Sequence, residues 1–475
     1  MRKLWLPSLV IAFAACGDSL PGHVPDTGTP DAGIDVPPGA LGDILDELRA
    51  IPGLTVTEQA TMLDGYRFFV MEYDQPVDHH DPAGPHFTQR MTLLHHDYAA
   101  PTVVYNSGYF VSTRGNRSQL TMLTNANQLS MEYRYFAPSR PDPADWTKLD
   151  IEQAATDQHR ITQALKARIY QGKWLTTGAS KGGMTSLFHR RFFPDDVDAT
   201  VALVAPFDYP DDAVQSPANR YFVFLDNVGT DPQCRQKLKD FQNTVLARRD
   251  AMKPRMRTLA TFTDVLGEDR ALEFAVEELP FIFWQYGSQS HCSMIPSTTA
   301  TDDLVFEFLD DTIDVASYGD VQLTDYLPYY HQSATQLGYP IDDECYLVGL
   351  QYPGADTARA YIPAGISTPD YDGGAAMRDV QAWIASSGER ILLIYGQNDP
   401  WSAGAVDLGA ATDSFKFIAP AGNHGSSIAN LSTDDAATAT AAVMRWAGIS
   451  AKARPHLDSN ERSLEQEELA LHHRR

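Results

Sequence analysis

Cysteine is scarce in this chain. Its 475 residues hold four, at positions 16, 234, 292 and 345, and none has a C-x-x-C neighbour, so the cysteines do not read as a metal site. Cations are outnumbered as well: 37 Lys and Arg against 62 Asp and Glu leave a formal net charge of −25. Nucleic-acid affinity comes largely from cationic contacts to phosphate, so that class of partner is excluded. The charge suits an exported protein, or a site that attracts cationic groups. No apolar run reaches the roughly 18 residues that a membrane-spanning helix needs, and no internal repeat is visible. What is plentiful is core material. Hydrophobic residues make up 43% and charged ones 21%, which rules out global disorder. Tyrosine (21), phenylalanine (21) and tryptophan (7) suit an enzyme-like core with apolar pockets.

The N-terminus reads as an export signal. Arg2 and Lys3 precede an apolar stretch from Leu4 to Ala15, and Phe13-Ala14-Ala15 leads into Cys16. This resembles a bacterial lipoprotein signal with Cys16 as the lipidated residue; the alternative is an ordinary signal cleaved nearby. Residues 17–40 are rich in Pro and Gly without an aromatic, as an extended tether is. Gly17, not Asp, follows the cysteine, so nothing marks the protein for retention at the inner membrane, and by resemblance to lipoprotein sorting that favours the outer membrane; without a lipid anchor the protein would be periplasmic or secreted. A lipid on Cys16 would be the chain's only link to a membrane.

Strand and helix patterns alternate on either side of a different middle. Tyr66–Tyr73 and Phe87–His95 form a hairpin pattern, and Thr102–Asn106 and Gln128–Phe136 are further strands. Ile151–Ile169 carries a helical apolar face, followed by strands at Lys173–Thr177 and Ala199–Ala205. From 206 to 380 the chain is aromatic, acidic and mainly helical. A helix at Val380–Ser387, strands at Arg390–Tyr395 and Phe415–Ile418, and a helix at Ala436–Trp446 then restore the rhythm. These patterns predict an α/β fold with a mostly parallel sheet. Its core falls at 41–205 and 381–450, a helical lid at 206–380, and a frayed charged tail at 451–475. The pairs His79-His80 and His95-His96 read as solvated, because adjacent side chains diverge.

The chemistry begins at Gly178-Ala179-Ser180-Lys181-Gly182, a G-x-S-x-G between a predicted strand and a predicted helix. A serine on so sharp a turn is exposed only if glycines stand two before and two after it. The helix start then aims backbone N–H groups at a developing oxyanion. Such a serine needs a base, and the base an orienting acid. Asp399 follows the buried strand Ile391–Tyr395, and His424 stands in the loop Gly422-Asn423-His424-Gly425 after the next strand. Read alone, Asp399-Pro400 is also a turn and His424 also a loop histidine; the order Ser, Asp, His is the stronger signal. The oxyanion donors are the backbone N–H of Lys181 and, after the strand Thr102–Tyr105, that of Tyr109. The Lys181 side chain reads as structural or substrate-facing. No metal or organic cofactor is implied.

Trp174–Thr185 with its Ser-Lys-Gly-Gly elbow, Tyr395–Ser402, Gly422–Gly425, Glu132–Phe136 and Phe283–Tyr286 together resemble the PS-ten peptidase family. These are secreted prolyl tri- and tetrapeptidyl aminopeptidases of the α/β-hydrolase superfamily. The resemblance runs from about Leu54 to Trp446. It implies Ser180 as nucleophile, Asp399 as orienting acid, His424 as base, and a peptide as substrate. It also implies a disulfide between Cys234 and Cys292, leaving Cys345 free. An aminopeptidase must hold the substrate's α-ammonium, and a carboxylate is its natural partner. Glu278 is the candidate, with Phe283 and Trp284 as an apolar wall for proline; a helix-end glutamate and core aromatics are the alternatives. Two other functions fit the same triad scaffold: a carboxylesterase or lipase, and an inactive surface binding protein.

Overall fold

The structure, a computed structural model, describes residues 42–450 and 463–467. The signal, Cys16, the tether and most of the tail lie outside the described residues. Among the described residues, nine strands form one sheet: β1 Leu54–Gln59, β2 Arg67–Pro76, β3 His86–His95, β4 Thr102–Asn106, β5 Asn127–Met131, β6 Trp174–Ala179, β7 Ala199–Leu203, β8 Ile391–Gly396 and β9 Phe415–Ala419. Their order is β1-β2-β3-β5-β4-β6-β7-β8-β9. β1, β2 and β3 pair antiparallel, as does β3 with β5. From β5 through β4 to β9 every pairing is parallel. This is the α/β-hydrolase sheet with its helical insertion between β7 and β8.

Both faces of the parallel part are covered, and the strands read accordingly. β4, β7 and β8 are buried at every residue, as strands between two helical layers must be. Neighbours on one strand serve opposite layers. Val103 packs with Leu120, Leu175, Val443 and Trp446, whereas Val104 packs with Leu129, Ile161 and Leu165. β4 is also where the chain changes direction across the sheet, with β5 on one side and β6 on the other. In open α/β sheets the crevice at such a switch is where ligands bind.

Three expectations are corrected. The strand beginning near Gln128 stops at Met131, not Phe136. Glu132 and Arg134 turn into buried ion pairs with Arg90 and Asp157, and Tyr135 takes a left-handed φ of 73°. His79 and His95 are not solvated: His79 Nε2 lies 2.7 Å from Asp157, and His95 Nδ1 lies 2.8 Å from the Tyr170 hydroxyl. Divergence holds within each pair, but it sends one ring inward. The tail is not frayed throughout. Leu464 is buried, and the Glu465 carboxylate accepts from the Gln119 backbone N–H at 3.1 Å.

The insertion has its own core, from Val228 to Tyr361. Within it Cys234, on the helix Pro232–Ala247, is bonded to Cys292, 58 residues on; Cys345 is free and exposed. A bridge of this kind typically adds about 2–4 kcal/mol. Reduction, or Cys234→Ser with Cys292→Ser, should lower unfolding stability by about that amount in denaturant titrations. A non-reducing peptide map showing Cys345 in a bridge would contradict the pairing.

Candidate active site

Ser180 follows β6 directly and opens the helix Lys181–Phe192, with φ 54° and ψ −126°. Few non-glycine residues hold a positive φ, and the surroundings enforce it here. The Ser180 N–H donates to Leu203 O of β7 at 2.9 Å. The flanking glycines are obligatory. A Cβ on Gly178 would lie 2.4 Å from Asn106 O, and one on Gly182 would lie 2.1 Å from it. The end of β4 is therefore pressed against the elbow, and the Asn106 side chain locks it there by donating to Thr176 Oγ1 and Ser186 Oγ, both at 3.0 Å.

That contact brings the loop after β4 beside the serine. The Tyr109 N–H, the second expected oxyanion donor, is given to Ser107 Oγ at 3.1 Å, and Ser107, Tyr109, Ser180 and Lys181 all line one cavity. The Lys181 side chain points away from substrate chemistry. Its Nζ is buried 3.1 Å from the Tyr133 ring centroid and donates to Gly108 O at 2.8 Å. Gly108 O and the Tyr109 N–H belong to one planar peptide unit, so the lysine fixes the direction of that N–H. Burial without a carboxylate partner holds the lysine pKa well below its usual range.

Asp399 and His424 stand at the ends of β8 and β9. Asp399 is fully buried; one carboxylate oxygen accepts the Trp401 N–H at 3.1 Å and the other lies 2.8 Å from His424 Nδ1. The opposite ring nitrogen, Nε2, is buried without a hydrogen-bond partner, and His424 lines the same cavity as Ser180. The lid holds this loop: the His424 N–H donates to Gln285 O at 2.9 Å, and Asn423 Nδ2 to Tyr286 O at 2.9 Å.

The cavity, about 240 Å³, extends into the lid and reaches Glu278. Three tyrosine hydroxyls donate to that carboxylate: Tyr318 at 2.6 Å, Tyr361 at 2.8 Å and Tyr339 at 3.0 Å. Its hydrogen-bond partners are all neutral, and burial raises its pKa. Phe283 and Trp284 do not reach the cavity. They pack into the lid core, and Ile282, Gln285 and Tyr286 of the same helix line the cavity instead. Sequence reasoning chose the bulkiest neighbours of Glu278; helical phase chooses the residues four, seven and eight further on. It also missed the tyrosines. Tyr326, Tyr329 and Tyr330 line the cavity at helical spacing and were visible as a pattern. Tyr318, Tyr339 and Tyr361 converge from distant segments and gave no local signal. Among the described residues, no group of three or more His, Cys, Asp or Glu side chains is arranged to hold a metal.

A family model described as PS-10 peptidase S37 matches residues 37–474. The chain belongs to that family. It is a serine peptidase by family, and a prolyl tri/tetrapeptidyl aminopeptidase of Streptomyces mobaraensis is 44% identical over 462 residues, covering 95% of this chain and 93% of that protein. Solved structures are fainter likenesses. A peroxisomal alpha-beta-hydrolase of Saccharomyces cerevisiae is 12% identical over 86% of this chain and 96% of that one, with a TM-score of 0.38. A proline iminopeptidase of Mycobacterium smegmatis is 12% identical over 82% and 99%, with a TM-score of 0.35.

Ser180→Ala or His424→Ala should lower kcat by on the order of 10⁶-fold with the fold retained, and Asp399→Asn by on the order of 10⁴-fold through the wrong tautomer. Turnover by purified, correctly folded variants checks this; near-normal rates would contradict the assignment.

Proposed function

We propose that the chain is an exported aminopeptidase that releases short peptides, three or four residues long with a proline-related preference, from the free N-terminus of its substrates. The observation that carries this reading is that Ser180, His424 and Glu278 line one cavity. Ser180 attacks the scissile carbonyl while His424 Nε2 takes its proton. Asp399 holds the Nδ1 proton and stabilises the imidazolium. The backbone N–H groups of Lys181 and Tyr109 receive the oxyanion, which as a charged acceptor displaces the neutral Ser107 hydroxyl. His424 returns the proton to the leaving amine, then activates water to open the acyl-enzyme.

Glu278 supplies the choice of substrate end. A carboxylate held by three neutral donors lacks a counter-charge, and a substrate α-ammonium provides one. The name of the Streptomyces relative supports the lengths and the proline preference. Export with a lipid anchor at Cys16, to the bacterial outer membrane, is proposed from the N-terminal sequence alone.

Acetylating the substrate's amino group removes that charge. kcat/KM should then fall by at least about tenfold, since a lost buried charge contact is worth over about 1.4 kcal/mol. Equal cleavage of free and acetylated peptides would contradict the aminopeptidase reading, and turnover confined to esters would favour a carboxylesterase.

A further inference from the structure

Resting on that reading, we propose that the helix Leu279–Tyr286 is a ruler that sets how many residues are released. Glu278 stands at the position just before its start, and the backbone carbonyl of Gln285, seven residues on, accepts the backbone N–H of His424. A helix rises 1.5 Å per residue, so the two ends are about 10 Å apart. An extended peptide spans about 3.3–3.6 Å per residue, so three residues cover the same distance. With its ammonium on Glu278, a substrate lays its third peptide bond at Ser180, and a fourth residue fits if the backbone bends. Two residues leave the ammonium about 3.4 Å short of the place where it meets the carboxylate, beyond hydrogen-bond reach.

The helix is placed so that the length cannot drift. Its cavity face carries Glu278, Ile282, Gln285 and Tyr286. Its other face buries Phe283 and Trp284 in the lid core that contains the Cys234–Cys292 bridge. Three tyrosines fix the carboxylate end. Bonds from His424 and Asn423 to Gln285 O and Tyr286 O fix the catalytic end. The measuring element is thus tied to the base itself. Lid motion that kept those bonds would preserve the distance.

The test uses fluorogenic peptides with one to six residues ahead of one scissile bond and one leaving group. The wild-type enzyme should give its highest kcat/KM at three residues, then four, with two at least about tenfold lower. Glu278→Gln should flatten this profile, bringing lengths two to four within about threefold of one another. Adding Ile282→Glu to Glu278→Gln moves the carboxylate one turn, about 6 Å or two residues, nearer to His424, and the optimum should shift to one or two residues. A Glu278→Gln profile that still peaks sharply at three would overturn the ruler. If the double variant does not fold, the single variant decides. Ser180→Ala assayed in parallel separates the two ideas. Release that persists in it would overturn the reading of the site, whereas an essential Ser180 with an unmoved length profile would overturn the ruler alone.

Discussion

The carbonyl oxygen of Asn106 lies so close to Gly178 and Gly182 that neither could carry a Cβ. This contact between the end of β4 and the turn after β6 fixes Ser180 in its positive-φ conformation. It also sets the loop Ser107–Tyr109 beside the start of the helix Lys181–Phe192. Gly108 continues the approach: its φ is 78°, and a Cβ there would lie 2.6 Å from the Gly182 nitrogen. The proposed nucleophile and oxyanion donors are thus parts of one backbone junction, with Lys181 serving both sides of it. Its N–H opens the helix, while its side chain crosses to the carbonyl of Gly108. A buried lysine without a carboxylate is expensive, and the Tyr133 face offsets part of that cost.

The proposed acid and base, Asp399 and His424, come from the far side of the insertion and are placed by different means. Asp399 is held by its own turn, through the Trp401 N–H. His424 is held by Asp399 at the ring and by the lid at the backbone. The lid therefore helps to hold the proposed base in place. The helix Leu279–Tyr286 meets the His424 loop at one end and has Glu278 at the other, so one helix links that loop to the proposed site of substrate selection.

Much of this was legible in the sequence, for identifiable reasons. Strands buried on both faces read as continuous apolar runs, which is why β4, β7 and β8 stood out. The elbow was legible because its glycines are demanded by sterics at fixed offsets from Ser180. Asp399 and His424 were legible because each follows a strand of the same sheet. Other features depend on contacts that sequence proximity does not encode. The three tyrosines on Glu278 lie 40, 61 and 83 residues from it. Which residues of the helix Leu279–Tyr286 face the cavity depended on its phase, and aromatic size misled the choice toward Phe283 and Trp284. His79 and His95 were drawn inward by Asp157 and Tyr170, partners 78 and 75 residues away.

The central claim is that the turn at Ser180 presents an activated nucleophile to the cavity shared with His424. Reaction of the folded enzyme with a fluorophosphonate, followed by intact-mass and peptide-level mass spectrometry, tests this most directly. One adduct per chain on Ser180, formed far more slowly in His424→Ala protein, is the expected result. Modification of another residue, or labelling of Ser180 at the same rate without His424, would contradict the account.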